Sequence, residues 1–70
     1  MKLVEARKAA RMTQDEVAGY LGISRPTYAR MEKSPEIISV GDASKLAELF
    51  KVEVDQIFFE SNYKQTYSQV

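Results

Sequence analysis

Apolar residues recur along this chain at spacings of three and four, the period of helices that bury one face. Leu3, Ala6 and Ala10 form the first stripe and predict a helix over residues 2–11, with Lys8 and Arg11 on the opposite side. Val17, Ala18 and Leu21 form the second stripe. Its start is marked by Thr13-Gln14-Asp15-Glu16. In such a capping box the Thr13 hydroxyl accepts from the Glu16 backbone N–H, and the Glu16 carboxylate reaches back to the N–H of Thr13. Met12 and Val17 flank the cap at the spacing of a hydrophobic staple, and Gly22 stands where a left-handed helix end favours glycine. A third helix follows almost without a linker. Ser24 or Arg25 is its cap. Pro26 falls in the first turn, where its missing N–H costs nothing, but it disfavours a helical Arg25, which leaves the start open by one residue. Ile23 and Tyr28 repeat the staple spacing. Tyr28 and Met31 face inward, while Arg25, Thr27 and Arg30 are left for solvent or a partner.

Ser34-Pro35-Glu36 ends the third helix and opens a loop. Ser39 with Asp42 makes a second, weaker capping box, and Ala43, Leu46, Ala47, Leu49 and Phe50 continue into a fourth helix. Val54, Ile57 and Phe58 predict a short fifth helix over residues 54–59. Residues 60–70 are polar with two tyrosines and no apolar period, and are expected to fray as a tail. The pattern describes an all-α chain with one five-helix domain over residues 1–59 and a polar tail over 60–70.

Composition narrows the function. Seventy residues are enough for one small domain, which buries only about 60% of its unfolded surface. The chain has no cysteine and no histidine, so disulfides and thiolate metal sites are ruled out, along with the commonest general base and zinc ligand. Its carboxylates are spread along helices as a solvated face is, and it has no glycine-rich phosphate loop. No enzyme activity, cofactor or metal is therefore expected. No apolar run approaches the roughly 18 residues of a membrane span, and the first residues lack the apolar stretch of a signal peptide. A cytoplasmic location with no membrane partner is expected. Net charge is zero but unevenly placed: residues 1–33 carry seven Lys/Arg against four acids, and residues 34–70 carry three Lys against six acids. A chain polarised in this way can present a basic face despite a neutral total.

The second and third helices follow each other so closely that they must cross at a three- or four-residue turn, over the small residue Ala18. At this point the chain resembles a known family. Leu3-Val4-Glu5-Ala6-Arg7-Lys8-Ala9-Ala10, Met12-Thr13-Gln14-Asp15-Glu16-Val17-Ala18 and Leu21-Gly22-Ile23-Ser24-Arg25-Pro26-Thr27-Tyr28-Ala29-Arg30-Met31-Glu32 resemble the Cro/C1-type (XRE-like) helix-turn-helix domain. Leu46-Ala47-Glu48-Leu49-Phe50-Lys51-Val52 and Asp55-Gln56-Ile57-Phe58 are similar to its fourth and fifth helices. The resemblance covers about residues 3–59. It implies a five-helix, lambda-repressor-like fold with the helix-turn-helix at helices 2 and 3. It also implies a sequence-specific regulator, usually a homodimer on a near-palindromic operator in double-stranded DNA.

The family's roles carry over by position. Gln14 matches a phosphate-contacting glutamine that also braces the recognition helix. Ser24 and Arg25 open that helix, and Arg25 matches the leading base-reading position. Pro26 and Thr27 match the next groove-facing positions. Tyr28 matches a mainly core-facing position whose hydroxyl can reach the DNA backbone. Arg30 and Lys33 would meet phosphates or flanking bases. Physical chemistry supports these roles separately. An arginine at the front of such a helix can bind guanine O6 and N7 with two hydrogen bonds. Thr27 offers a methyl to thymine or a hydroxyl to phosphate, and the N-termini near Gln14 and Arg25 present free N–H groups.

Each residue also has an ordinary alternative. Gln14 can be a plain first-turn polar residue. Arg25, Lys8 and Lys33 can be solvated charges, and Arg30 can pair with Glu32 or another acid. Tyr28 and Met31 can be core.

The chain also departs from the family. Ser34 stands where glycine is frequent after the recognition helix, Pro35 comes early, and Ile38 occupies the later proline position. The loop over residues 34–39 is therefore expected to differ in shape. Ile37, Ile38, Phe58 and Phe59 can all be core or can line a homodimer seam. Two functions from different classes remain. The first is a DNA-binding transcriptional regulator of repressor-like, phage or mobile-element type, controlled by concentration, dimerisation or a partner. The second is a protein-binding module that docks on a partner repressor, as an anti-repressor or antitoxin does.

Overall fold

The computed structural model describes residues 2–58, and these form five α-helices. They are α1 (Leu3–Ala9), α2 (Gln14–Leu21), α3 (Arg25–Lys33), α4 (Val40–Phe50) and α5 (Val54–Phe58). No strand occurs among the described residues. The expected fifth-helix end at Phe59, and the tail over 60–70, lie outside them.

The caps follow the local chemistry. Thr13 accepts from the Glu16 N–H at 3.1 Å and its own N–H donates to the Glu16 carboxylate at 2.8 Å, so the capping box of α2 is complete. Ser24 proves to be the cap of α3: its hydroxyl accepts from the Thr27 N–H at 3.3 Å, and Pro26 sits in the first turn. Ser39 caps α4 by accepting from the Asp42 N–H at 3.1 Å. The reciprocal half of that box does not form, so Ser39 is a simple cap there.

The first helix is shorter than its apolar period implies. It ends at Ala9, and Arg11 turns into the left-handed region at φ 60°. The N–H of Met12 then closes back on the Arg7 carbonyl at 3.2 Å. Ala10 is compatible with helix, so the stripe looked longer than it is. The left-handed residue is what redirects the chain into α2, and with it Arg11 leaves the helical face shared with Lys8. Gly22 at φ 74° ends α2, and Lys51 at φ 59° ends α4, in the same way. Between α3 and α4 the expected loop contains a 3-10 turn over Pro35–Ile37.

One core joins all five helices. Leu3 and Ala6, Val17 and Ala18, Tyr28 and Met31, Leu46 and Phe50, and Ile57 are its buried members, one set from each helix in turn. The staple residues Met12 and Ile23 pack half-buried against it, and so does Ile38. Ile37 does not, and is 53% exposed. Nothing is described of the Phe58 side chain or of Phe59. Among element pairs, α2 and α3 make the most extensive contact. Ala18, at 2% exposure, lies in the core of that arrangement.

A domain of this size is held by roughly 4–10 kcal/mol in total, so small changes at the crossing are measurable. Ala18→Leu should lower the unfolding free energy by about 1–3 kcal/mol through overpacking. Gly22→Ala should cost about 1 kcal/mol from backbone strain, because nothing lies within 4 Å of an added Cβ there. Urea unfolding of both variants measures these losses.

Candidate nucleic-acid interface

The turn Gly22-Ile23-Ser24 joins the end of α2 to the start of α3, and from there the Arg25 side chain reaches back to the start of α2. The Gln14 side chain on α2 meets Arg25 at the start of α3. The Arg25 Nη1 donates to Gln14 Oε1 at 3.4 Å. The orientation of the Gln14 amide follows from its partners. Its Nε2 donates to Glu32 Oε1 at 2.9 Å, and a carboxylate can only accept. Its oxygen must therefore face Arg25, a group that can only donate.

Beneath Gln14 lies an ion pair. Arg7 Nε donates to Glu32 Oε2 at 2.6 Å, and the two side chains are only 11% and 8% exposed. Arg7 Nη1 also donates to the Met12 carbonyl at 2.9 Å. The connected groups run from α1 through Glu32 on α3 to Gln14 on α2 and back to Arg25 on α3. Burial alone would raise the Glu32 pKa. The hydrogen bond from Arg7, the nearby Tyr28 hydroxyl, the hydrogen bond from Gln14 and the Arg7 charge outweigh it and hold the carboxyl below its usual value. The hydrogen bond to Glu32 raises the Arg7 pKa against the opposing effect of burial.

Tyr28 is fully buried. Its hydroxyl lies against the Arg7–Glu32 pair without a hydrogen bond of good geometry. Burial first, and the adjacent carboxylate second, raise its pKa well above the ordinary tyrosine value. Of the two readings of Tyr28, this places it in the core, and in this conformation its hydroxyl has no route to a phosphate.

The other expected site residues lie on the surface or near it. Ser24, Arg25, Pro26, Arg30 and Lys33 are exposed, and Gln14 and Thr27 are half-buried. The Ser24 hydroxyl donates to Thr27 Oγ1 at 2.9 Å. Having accepted that bond, the Thr27 hydroxyl keeps its own proton for a further acceptor. Arg30 does not pair with Glu32, whose two oxygens are taken by Arg7 and Gln14. Neither Arg30 nor Lys33 joins an ion pair among the described residues. Lys8 is exposed on α1.

Three members of the cluster were not singled out from the sequence: Arg7, Glu32 and Asp15. The first two lie 25 residues apart, and no helical period links them. Asp15 makes an exposed ion pair with Arg25, its Oδ1 at 3.7 Å from Nε.

The model of a helix-turn-helix family matches residues 3–57, most of the chain. The chain is a Cro/C1-type helix-turn-helix domain. Comparison with curated proteins and with solved structures yields no match. This is a family of DNA-binding regulatory domains, not of enzymes, and membership makes the chain a DNA-binding helix-turn-helix regulator. No described helix is long and apolar enough to cross a membrane. A hollow of about 390 Å³ between the ends of α1 and α4 is lined by Ala6, Ala9, Ala10, Leu49, Phe50, Lys51 and Val52. It borrows nothing from α2 or α3.

Removing one partner of the Arg7–Glu32 pair leaves a charge in a mostly buried place. Arg7→Ala should cost about 3 kcal/mol, the low end for buried pairs. Because the Glu32 pKa is lowered on folding, its stabilisation is fully present above the ordinary carboxylate range and is lost as pH falls through the lowered value. Glu32→Gln should therefore be clearly less stable than wild type near neutral pH, and the gap should close in acid. Unfolding curves of both proteins across that range measure it.

Proposed function

We propose that this domain is a sequence-specific, repressor-like regulator that lays the front of α3 in the major groove of double-stranded DNA. The observation that carries this is the bonded run Arg7–Glu32–Gln14–Arg25, which ties the leading residue of α3 to α2 and α1 at the exposed helix N-termini. An arginine supported in this way can meet guanine O6 and N7 with little freedom left to lose. Gln14, half-buried beside it, keeps one amide proton for a phosphate, and the N–H groups of both helix starts add to that. Thr27 offers its free hydroxyl proton or its methyl, and Ser24 and Pro26 complete the exposed front. Arg30 and Lys33, further along α3, serve phosphates.

One recognition helix makes few contacts. We take the working form to be a homodimer whose two α3 helices meet half-sites about 34–36 Å apart. Ile37 and Val40, 53% and 79% exposed, are the apolar groups that favour an interface near the start of α4. The same two residues, on a chain of zero net charge, favour a second reading, a module that docks on a partner repressor.

Selection from a randomised duplex library, followed by fluorescence anisotropy against a shuffled control at two salt concentrations, separates the two. A regulator should enrich a consensus, bind it well above the control and weaken with salt. Equal, feeble binding to both duplexes would favour the docking module. Arg25→Ala should lower affinity for the selected duplex by about 1–3 kcal/mol while leaving the fold intact. Unchanged binding would place the recognition surface elsewhere.

A further inference from the structure

Asp15 stands apart from the other acids of this region. Its neighbour Glu16 is occupied by the α2 capping box. Glu32 is tied to Arg7 and Gln14. Asp15 is 79% exposed in its side chain, and its carboxylate faces Arg25 Nε at 3.7 Å. An acid in the first turn of a helix suits the macrodipole. On a surface that meets a polyanion it also repels every phosphate, whatever the sequence. Its place beside Arg25 gives it a more selective effect.

Arg25 has five N–H protons. Its Nε lies 3.7 Å from the Asp15 carboxylate, an ion-pair contact, and one Nη1 proton goes to Gln14. The second Nη1 proton and both Nη2 protons remain. One from each nitrogen makes the pair of donors that fits guanine O6 and N7. A phosphate would accept the same donors, but it is an anion, and in that position it would come close to the Asp15 carboxylate. The guanine edge carries no net charge and meets no such repulsion.

We propose that Asp15 is a specificity-determining positioning residue, holding Arg25 for a base edge and keeping it off phosphate on non-cognate DNA. This rests on the DNA-reading role of α3 and adds to it a penalty against the wrong site, the repulsive half of specificity. Asp15 touches no base itself. It acts through Arg25.

The test compares Asp15→Asn and Asp15→Glu with wild type, on the duplex selected from the randomised library and on its shuffled control, over a range of salt. In Asp15→Asn the affinity for the shuffled duplex should rise, and its salt slope should steepen by about one unit as Arg25 takes up a phosphate. The ratio of selected to shuffled binding should fall about tenfold. Asp15→Glu, which keeps the acid, should recover most of that ratio.

Order in the Arg25 side chain, read from ¹⁵N relaxation of its Nε in the free protein, should drop in Asp15→Asn and return in Asp15→Glu. Affinity that rises equally for both duplexes, with the ratio unchanged, would make Asp15 a general repulsive charge and overturn the proposal. If wild type selects no sequence at all, the DNA-reading role fails and the specificity role fails with it. The Arg25 relaxation would still show whether Asp15 holds the side chain, so the two failures are told apart.

Discussion

The Arg7–Glu32 pair is the interaction on which the functional surface depends. It joins α1 to α3 across 25 residues of chain at 2.6 Å, in a domain too small to bury charge without satisfying it. Glu32 has two oxygens to satisfy. One takes Arg7, and the other takes the Gln14 amide of α2. A bond made for the sake of a mostly buried carboxylate thereby fixes which end of the Gln14 amide faces outward, and so where Arg25 rests. Such a pair adds less to stability than its short distance implies, because both charges lost water to make it. Its larger effect is on register, since α3 cannot slide along α2 without leaving Glu32 or Gln14 unsatisfied.

The sequence carried the elements well because helix signals are local. Thr13 with Glu16 and Gly22 after Leu21 each state a boundary within four residues, and both stand where those residues place them. Ser24 with Pro26 leaves the start of α3 open by one residue, which the Ser24 cap decides. The end of α1 was less legible. Ala10 and Arg11 both suit a helix, and nothing in the apolar period announces the left-handed turn at Arg11. Of the site, the exposed front of α3 was legible because residues three and four apart share a face. Tyr28 was ambiguous for the same reason: its position is inward, its tip is polar, and only the fold shows that the tip is buried too. The Arg7–Glu32–Gln14 run was not legible from periodicity, since it joins three helices through side chains whose partners lie far off in the chain.

The charge pattern has a structural counterpart. The basic residues of the first half do not all serve one surface. Arg7 is used internally, and Arg25 is partly balanced by Asp15. That leaves Lys2, Lys8, Arg11, Arg30 and Lys33 as exposed cations of the first half without ion pairs among the described residues. Of these only Arg30 and Lys33 lie on α3, so few phosphate-directed charges stand beside the exposed front of that helix. Such a balance suits the proposed sequence-specific role, because specificity is a difference between affinities rather than a single large one.

The most direct test of the central claim is an amide NMR titration of the ¹⁵N-labelled domain with the duplex chosen from a randomised library. If α3 reads the major groove, the largest shift changes should fall on Gln14 and on residues 24–30, with little change along the α4 face. Changes gathered instead around Ile37 and Val40, with residues 24–30 unmoved, would contradict it.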